Sequence, residues 1–290
     1  MPEFSLYKGI PRFSLTKSRL IHGLIAAAVL LALCVFGFVL SDIAIKGWRH
    51  IDFSFLTENP LDSGRAGGVL SILVSTLAVV LICLFIAIPL GVATALWLAE
   101  FSDSSKTRPI AAWLRRLIHL LSGIPSIVIG LFGFVFFCQI LGLGYSLLAG
   151  GLSLACMALP LIIGTMEQDF RSLPSSLRQA SSALAISHSA FIFHILLPVS
   201  APALITATVL SIGRSLAETA VLLFTSGYVT RMPESVLDPG RVMSVHIFDL
   251  SMNVTGGDNK AYASALVLTA LIIALNFFTK IVIARFKARL

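Results

Sequence analysis

The sequence predicts an all-helical integral membrane protein of about six transmembrane helices. Three observations predict it. Of 290 residues, 57% are hydrophobic, and the mean hydropathy is +0.95. Only 12% are charged, about half the roughly 25% of a soluble domain. The apolar residues fall in long runs, each sufficient to cross a hydrocarbon core of about 30 Å.

The net charge of +7 does not point to nucleic acid. Lys and Arg cluster at the ends of the apolar runs, where they orient a protein in a membrane. Cys34, Cys83, Cys138 and Cys156 lie inside apolar runs and read as small buried hydrophobes, not as disulfide partners or metal ligands. The six histidines are scattered without metal-site spacing. No cofactor and no metal is implied.

Along the chain, residues 1–19 form a polar, basic tail, and 20–46 form the first transmembrane helix. That run is too long for a signal-peptide core and has no small-residue cleavage site after it, so it is expected to be retained. Residues 47–66 are polar, with Pro60 and Gly64 as breakers. Residues 67–284 make up the expected core domain. Its first span, 67–99, contains Pro89-Leu90-Gly91, predicted to kink or locally unwind it. Residues 108–121, with Arg115, Arg116 and His119, suit a helix lying on the membrane surface. Spans over 122–141, 145–165, 198–226 and 261–283 follow, separated by a Gly142-Leu143-Gly144 turn and by polar loops at 167–194 and 227–260. With both termini inside, 14 of the 21 Lys and Arg face the cytoplasm and six face outward, leaving Arg214 within the membrane.

The loop at 168–198 is unlike a plain connection. Ser172-Leu173-Pro174 reads as a helix start. One short helix over 177–184 and another over 190–197 follow, with a break predicted at Ser187-His188-Ser189. Both helices have apolar faces that call for a partner protein. The loop reads Gln179-Ala180-Ser181, three residues, Ala185, nine residues, then Ile195-Leu196-Leu197-Pro198. This resembles the cytoplasmic loop of type I ABC importer permeases, which carries Glu-Ala-Ala, Gly and Ile-x-Leu-Pro at the same spacing. Gln179 replaces the acidic residue. Ala185 replaces the glycine, where a left-handed turn would cost about 1–2 kcal/mol, so the turn is expected to shift to Ser187.

Other segments resemble the phosphate permeases of the PstA and PstC type. They are Pro89-Leu-Gly-Val-Ala-Thr-Ala-Leu-Trp-Leu-Ala-Glu100, Ser122-Gly-Ile-Pro-Ser-Ile-Val-Ile-Gly130 and Gly213-Arg-Ser-Leu-Ala-Glu-Thr-Ala-Val-Leu-Leu-Phe-Thr-Ser-Gly227. The last is closer to the PstA type, although Ala217 and Val221 stand where glycine and proline are usual. The resemblance covers residues 67–283. It implies a six-helix, N-in and C-in permease with the type I ABC importer fold.

The same segment is physically unusual. Residues 198–226 hold eleven Leu, Ile, Val or Phe, which together favour insertion by about 3–7 kcal/mol. Arg214 and Glu218 each oppose it by about 2.5–3.5 kcal/mol near the bilayer centre. The pair must therefore face protein or water. Four residues apart on a continuous helix, the two would share a face. They would form either a mutual ion pair or a site where Arg214 offers a forked, permanent cation to a passing oxyanion while Glu218 holds it between passages. The resemblance assigns both positions to function. Ser211, Ser215 and Thr219 are candidate hydroxyl donors, though serines in membrane helices tend to bond their own backbone. Ser126 and Thr76 are candidates for the pathway wall, with helix packing as the alternative.

The resemblance further implies import of inorganic phosphate by alternating access through the lipid membrane of the bacterial cell, and four kinds of partner. These are a second, homologous PstC-like permease, a cytoplasmic PstB-like ATPase dimer docked on Gln179 to Pro198, an extracytoplasmic PstS-like phosphate-binding protein, and the phosphate itself. No phosphate-cradling glycine loop with its lysine is present, so ATP hydrolysis is expected in the separate subunit and no catalytic residue here. The alternatives are a permease of this type for sulfate or phosphonate, or an ion-coupled secondary transporter, which usually shows internal repeats.

Overall fold

Residues 15–287, apart from residue 103, are described by the computed structural model. Most of the expected tail, residues 1–14, lies outside them. Helix α1, Leu15–Trp48, begins before the expected boundary at 20 and takes in the end of that tail. A short helix α2, Phe53–Thr57, follows, with the Asp52 side chain accepting from the Phe55 amide. Strands β1, Pro60–Leu61, and β2, Ala66–Gly67, then pair antiparallel. The expected breakers Pro60 and Gly64 thus belong to a small hairpin.

Helix α3 spans Leu70–Glu100, 31 residues, or about 46 Å at 1.5 Å per residue. Pro89 lies inside it, and the expected local unwinding does not occur. Helix α4, Arg108–Gly123, is amphipathic. It meets α5, Ser126–Gly133, which continues as a π-helical stretch to Ile140, at a bend of 103°. Gly142 and Gly144, both at positive φ, make the expected tight turn.

Ser146 caps α6, Leu147–Ser172, by accepting from the Ala149 amide. Helix α6 runs beyond the expected end at 165, because Glu167 and Arg171 hydrogen-bond to each other along it. Helix α7 covers Ser175–Ala183. Helix α8, His188–Phe191, a π-helical turn at Ile192–Leu196 and α9, Leu197–Val199, form one run. That run bends by 59° into α10, Ala201–Ala217. Helices α11, Ala220–Thr225, α12, Met243–Met252, and α13, Asp258–Lys287, complete the chain. Helix α12 lies in the loop read from the sequence as merely polar.

Among the described residues, four helices are long and apolar enough to cross a membrane: Ile21–Trp48 of α1, then α3, α6 and Asp258–Arg285 of α13. The bent pairs α4–α5 and α8–α10 raise the number to six if each is one span. Helices α3 and α6 pack against each other along the core. Buried Leu98, Leu154, Ile162, Met166 and Phe170 supply much of that contact. Helices α1 and α13 pair with each other at the periphery and leave most of their apolar surface uncovered, as lipid-facing helices do.

Candidate functional site

The fifth apolar run is not one helix. Helix α10 stops at Ala217. Glu218 is extended, with φ −78° and ψ 122°, and Thr219 opens α11 without a side-chain cap. No proline or glycine causes this break; it is held from outside. The Glu218 carbonyl, lost to the helix ladder, accepts from Ser244 Oγ of α12 at 2.6 Å. The opposed ends of two half-helices expose backbone donors and acceptors inside an apolar segment, an arrangement that transporters use for ion and substrate sites.

Because the helix breaks there, Arg214 and Glu218 do not share a helix face, and no ion pair joins them among the described residues. Arg214 is exposed, in the last turn of α10. It has no hydrogen-bond or ion-pair partner among the described residues. A cation at that end complements the helix dipole, which leaves its guanidinium forks available to an anion. Glu218 and Thr219 are half-buried.

The other candidate donors are placed differently. Ser215 is buried and lies 3.8 Å from Cys83 Sγ of α3. Buried Ser211 donates to the Ala207 carbonyl, as serines in membrane helices commonly do. Thr76 is buried as well. Its hydroxyl donates to the Ile72 carbonyl at 2.6 Å and accepts the Met243 amide at 2.9 Å. That geometry is the packing alternative for Thr76: it caps α12 across the gap to α3. Ser126 is half-buried at the first position of α5. One turn on, a Cβ on Gly130 would sit 3.0 Å from the Ala220 carbonyl and the Val221 Cα, so the glycine lets α5 lie directly against α11, beside the break.

At the opposite end of α10 lies the short-helix loop. Ala185 carries φ +52°. Its amide donates to the Ser182 carbonyl at 3.1 Å, and the Ile186 amide donates to the Ser181 carbonyl at 3.0 Å. This is the paired closure of a Schellman helix end, with alanine in the position that favours glycine. The turn has therefore not moved to Ser187. Ser187 instead caps α8, accepting from the Ala190 amide at 3.3 Å. Gln179, Ala180 and Leu184 are exposed, Leu184 by 73%, while Ser181 is buried. Ile195, Leu197 and Pro198 are half-buried, where the run turns into α10. The exposed apolar faces of α7 are not covered by this chain.

Residues 87–290 match the family of binding-protein-dependent transport system inner membrane components. The chain belongs to that family. It is a multi-pass bacterial membrane permease of the type I ABC importer kind. It is 32% identical over 253 residues to the probable ABC transporter permease protein YqgI of Bacillus subtilis, covering 83% of this chain and 84% of that one. It is 29% identical to the phosphate transport system permease protein PstA of Mycobacterium leprae, covering 86% and 83%. Its fold matches a chain of a bacterial alginate ABC transporter crystallised with its alginate-bound periplasmic protein, at a TM-score of 0.68 and 12% identity, covering 91% and 93%.

Two polar clusters of the permease escaped the sequence analysis. Near α12, Arg241 and Asp249 form a buried ion pair at 2.9 Å, and Arg241 Nε donates to the Tyr228 carbonyl at 3.0 Å. His246 beside them is 1% exposed. Burial, reinforced by Arg241, lowers its pKa to about 4, so it is neutral at physiological pH. At the carboxyl end of α3, Arg115, Arg171 and Arg178 converge from three other helices. The cluster at the end of α3 joins residues far apart in sequence, and the pairing in the other depends on how the chain folds around α12. The single local signal was Glu100, an acid closing a long apolar run.

Proposed function

We propose that this permease imports inorganic phosphate, and that phosphate passes Arg214. The observation that carries the proposal is a guanidinium without a partner among the described residues, next to a helix broken at Glu218–Thr219, in a segment resembling the PstA type. A free guanidinium beside exposed half-helix ends is matched to an oxyanion that is bound for a moment and released. Glu218, near enough in sequence to compete, limits how tightly the anion is held. Relatives named as phosphate permeases support the substrate.

In this proposal the chain spans the membrane six times with both termini in the cytoplasm. It pairs with a homologous permease to enclose one path. An ATPase dimer docks on the exposed faces around Gln179, Ala180 and Leu184, and a binding protein delivers phosphate from outside to the loops at 47–66 and 227–260. Ser126 and Thr219 are the hydroxyl-bearing residues best placed to line the path, since both flank the contact of α5 with α11. Hydrolysis of ATP belongs to the partner, and this chain supplies the passage that alternates its opening.

The test is phosphate uptake by cells whose sole phosphate importer contains this chain, comparing wild type with Arg214→Ala, Arg214→Lys and Glu218→Gln. Uptake should fall strongly in Arg214→Ala and partly in Arg214→Lys, and sulfate should not compete. Wild-type rates in both arginine variants would end the proposal.

A further inference from the structure

Motion of a docked ATPase has an obvious covalent route to the substrate path, from α7 through α8 and α9 into α10. That route is articulated. It contains the left-handed turn at Ala185 and the 59° bend before Ala201. A second, non-covalent route avoids both.

It begins where α7 meets the carboxyl end of α3. Arg178 Nη1 lies 2.6 and 2.7 Å from the two carboxylate oxygens of Glu100, and Arg178 Nη2 donates to the Phe170 carbonyl of α6 at 2.9 Å. The Glu100 side chain is 3% exposed. Separating the pair would strand a buried charge, so α7 cannot shift without carrying the end of α3 with it. The Leu98 carbonyl, one of the last in α3, accepts from Arg115 Nη2 of α4 at 3.0 Å and from Arg171 Nη2 of α6 at 2.8 Å. Arg115 and Arg171 also share Glu167 Oε1, at 2.7 and 3.0 Å. Phe101 packs edge-on against His188 of α8, with ring centroids 5.1 Å apart. The end of α3 is thus tied to α4 and α6 through its orphan Leu98 carbonyl, to α7 through the Glu100 carboxylate and to α8 through a ring contact.

The route continues at the other end of α3. Thr76 holds the Met243 amide of α12, and the next residue, Ser244, holds the Glu218 carbonyl at the helix break. We propose that α3 is a second transmission element, gripped by Arg178 at one end and joined through Thr76, Met243 and Ser244 to the break beside Arg214 at the other. Arg178 and Glu100 are then positioning residues, acting on the site through α3 and α12. This rests on the chain being the permease of an ATP-driven importer.

The test uses the complete importer, purified from cells and reconstituted in proteoliposomes. Solute imported per ATP hydrolysed is measured together with ATPase retention during purification. Arg178→Gln and Glu100→Gln should retain the ATPase and its hydrolysis, while import per ATP falls by about fivefold or more. The charge swap Arg178→Glu with Glu100→Arg should recover at least half of the loss. Ser244→Ala should lower the same ratio, and adding it to Arg178→Gln should lower it no further, since both cut one line.

An unchanged ratio in both single variants, fully additive losses, or a swap no better than the singles would each overturn the proposal. Loss of the ATPase in Arg178→Gln would make Arg178 a docking residue and overturn it as well. If that variant fails to accumulate, the near-isosteric Glu100→Gln decides. A wild-type complex that moves a different solute overturns the phosphate assignment alone, with the ratio still measured on that solute. A wild-type chain that retains no ATPase overturns the importer assignment before any variant is made.

Discussion

Arg214 and Arg241 are the same residue in opposite circumstances, and α12 has a hand in both. Arg241 is 7% exposed and has a carboxylate, a carbonyl and the Tyr228 ring within reach. Arg214 is exposed and has no partner among the described residues. The three arginines at the end of α3 resemble Arg241, each held by a carboxylate and a carbonyl. Among the described residues these four arginines are anchored by a carboxylate and a carbonyl, whereas Arg214, beside the broken helix, is not; the proposed function gives that difference its meaning.

The contrast can be broken by experiment, beginning with stability. Asp249→Asn should strand Arg241 and destabilise the protein by about 3–5 kcal/mol, read as a loss of thermal stability in detergent. Arg214→Ala should leave that stability within about 0.5 kcal/mol of wild type. If Arg214→Ala destabilises as much as Asp249→Asn, the two arginines are both structural. Uptake should show the reverse. Arg214→Ala should reduce it by about 10- to 100-fold, the effect of removing a charged donor that contributes about 1.5–3 kcal/mol.

Acidity sharpens the same contrast. Burial holds the His246 pKa at about 4 in the folded chain, below the 6.5 of an ordinary histidine, so between those values the unfolded chain binds a proton that the folded chain refuses. Stability should therefore fall as pH drops from about 6.5 to about 4, by about 3 kcal/mol in total, and be level above 7. His246→Gln should flatten that slope in a pH series of thermal melts. Smallest of all, Ala185→Gly should stabilise the loop by about 1 kcal/mol by relieving the left-handed alanine. Slower amide exchange over α7 would register it.

Much of this architecture is written in the sequence. The long apolar runs became the long helices because a segment of about 20 residues without charge has one comfortable environment. The amphipathic helix α4 was legible from its arginines and histidine spaced among apolar residues. The loop spacing from Gln179 to Pro198 placed two short helices correctly. What was illegible depended on tertiary contacts. Nothing in Ala217-Glu218-Thr219 announces a break, since the break is stabilised by Ser244 from a different element. The shared face expected for Arg214 and Glu218 on a continuous helix failed for that reason. Helix α12 escaped because ten residues with an aspartate and a histidine look like loop until Arg241 and Thr76 are brought to them. The turn at Ala185 was judged by intrinsic strain alone, whereas the two closing hydrogen bonds hold it in place.

Helix α1 leans on α13, where Gly47 lets the backbone at Tyr262 come close and Lys46 reaches both Asp42 and the Tyr262 hydroxyl. Among the described residues, α1 makes its main contact along this one seam. Because α13 also packs on α10 and α12, a change on that seam is felt one helix away from the break at Glu218.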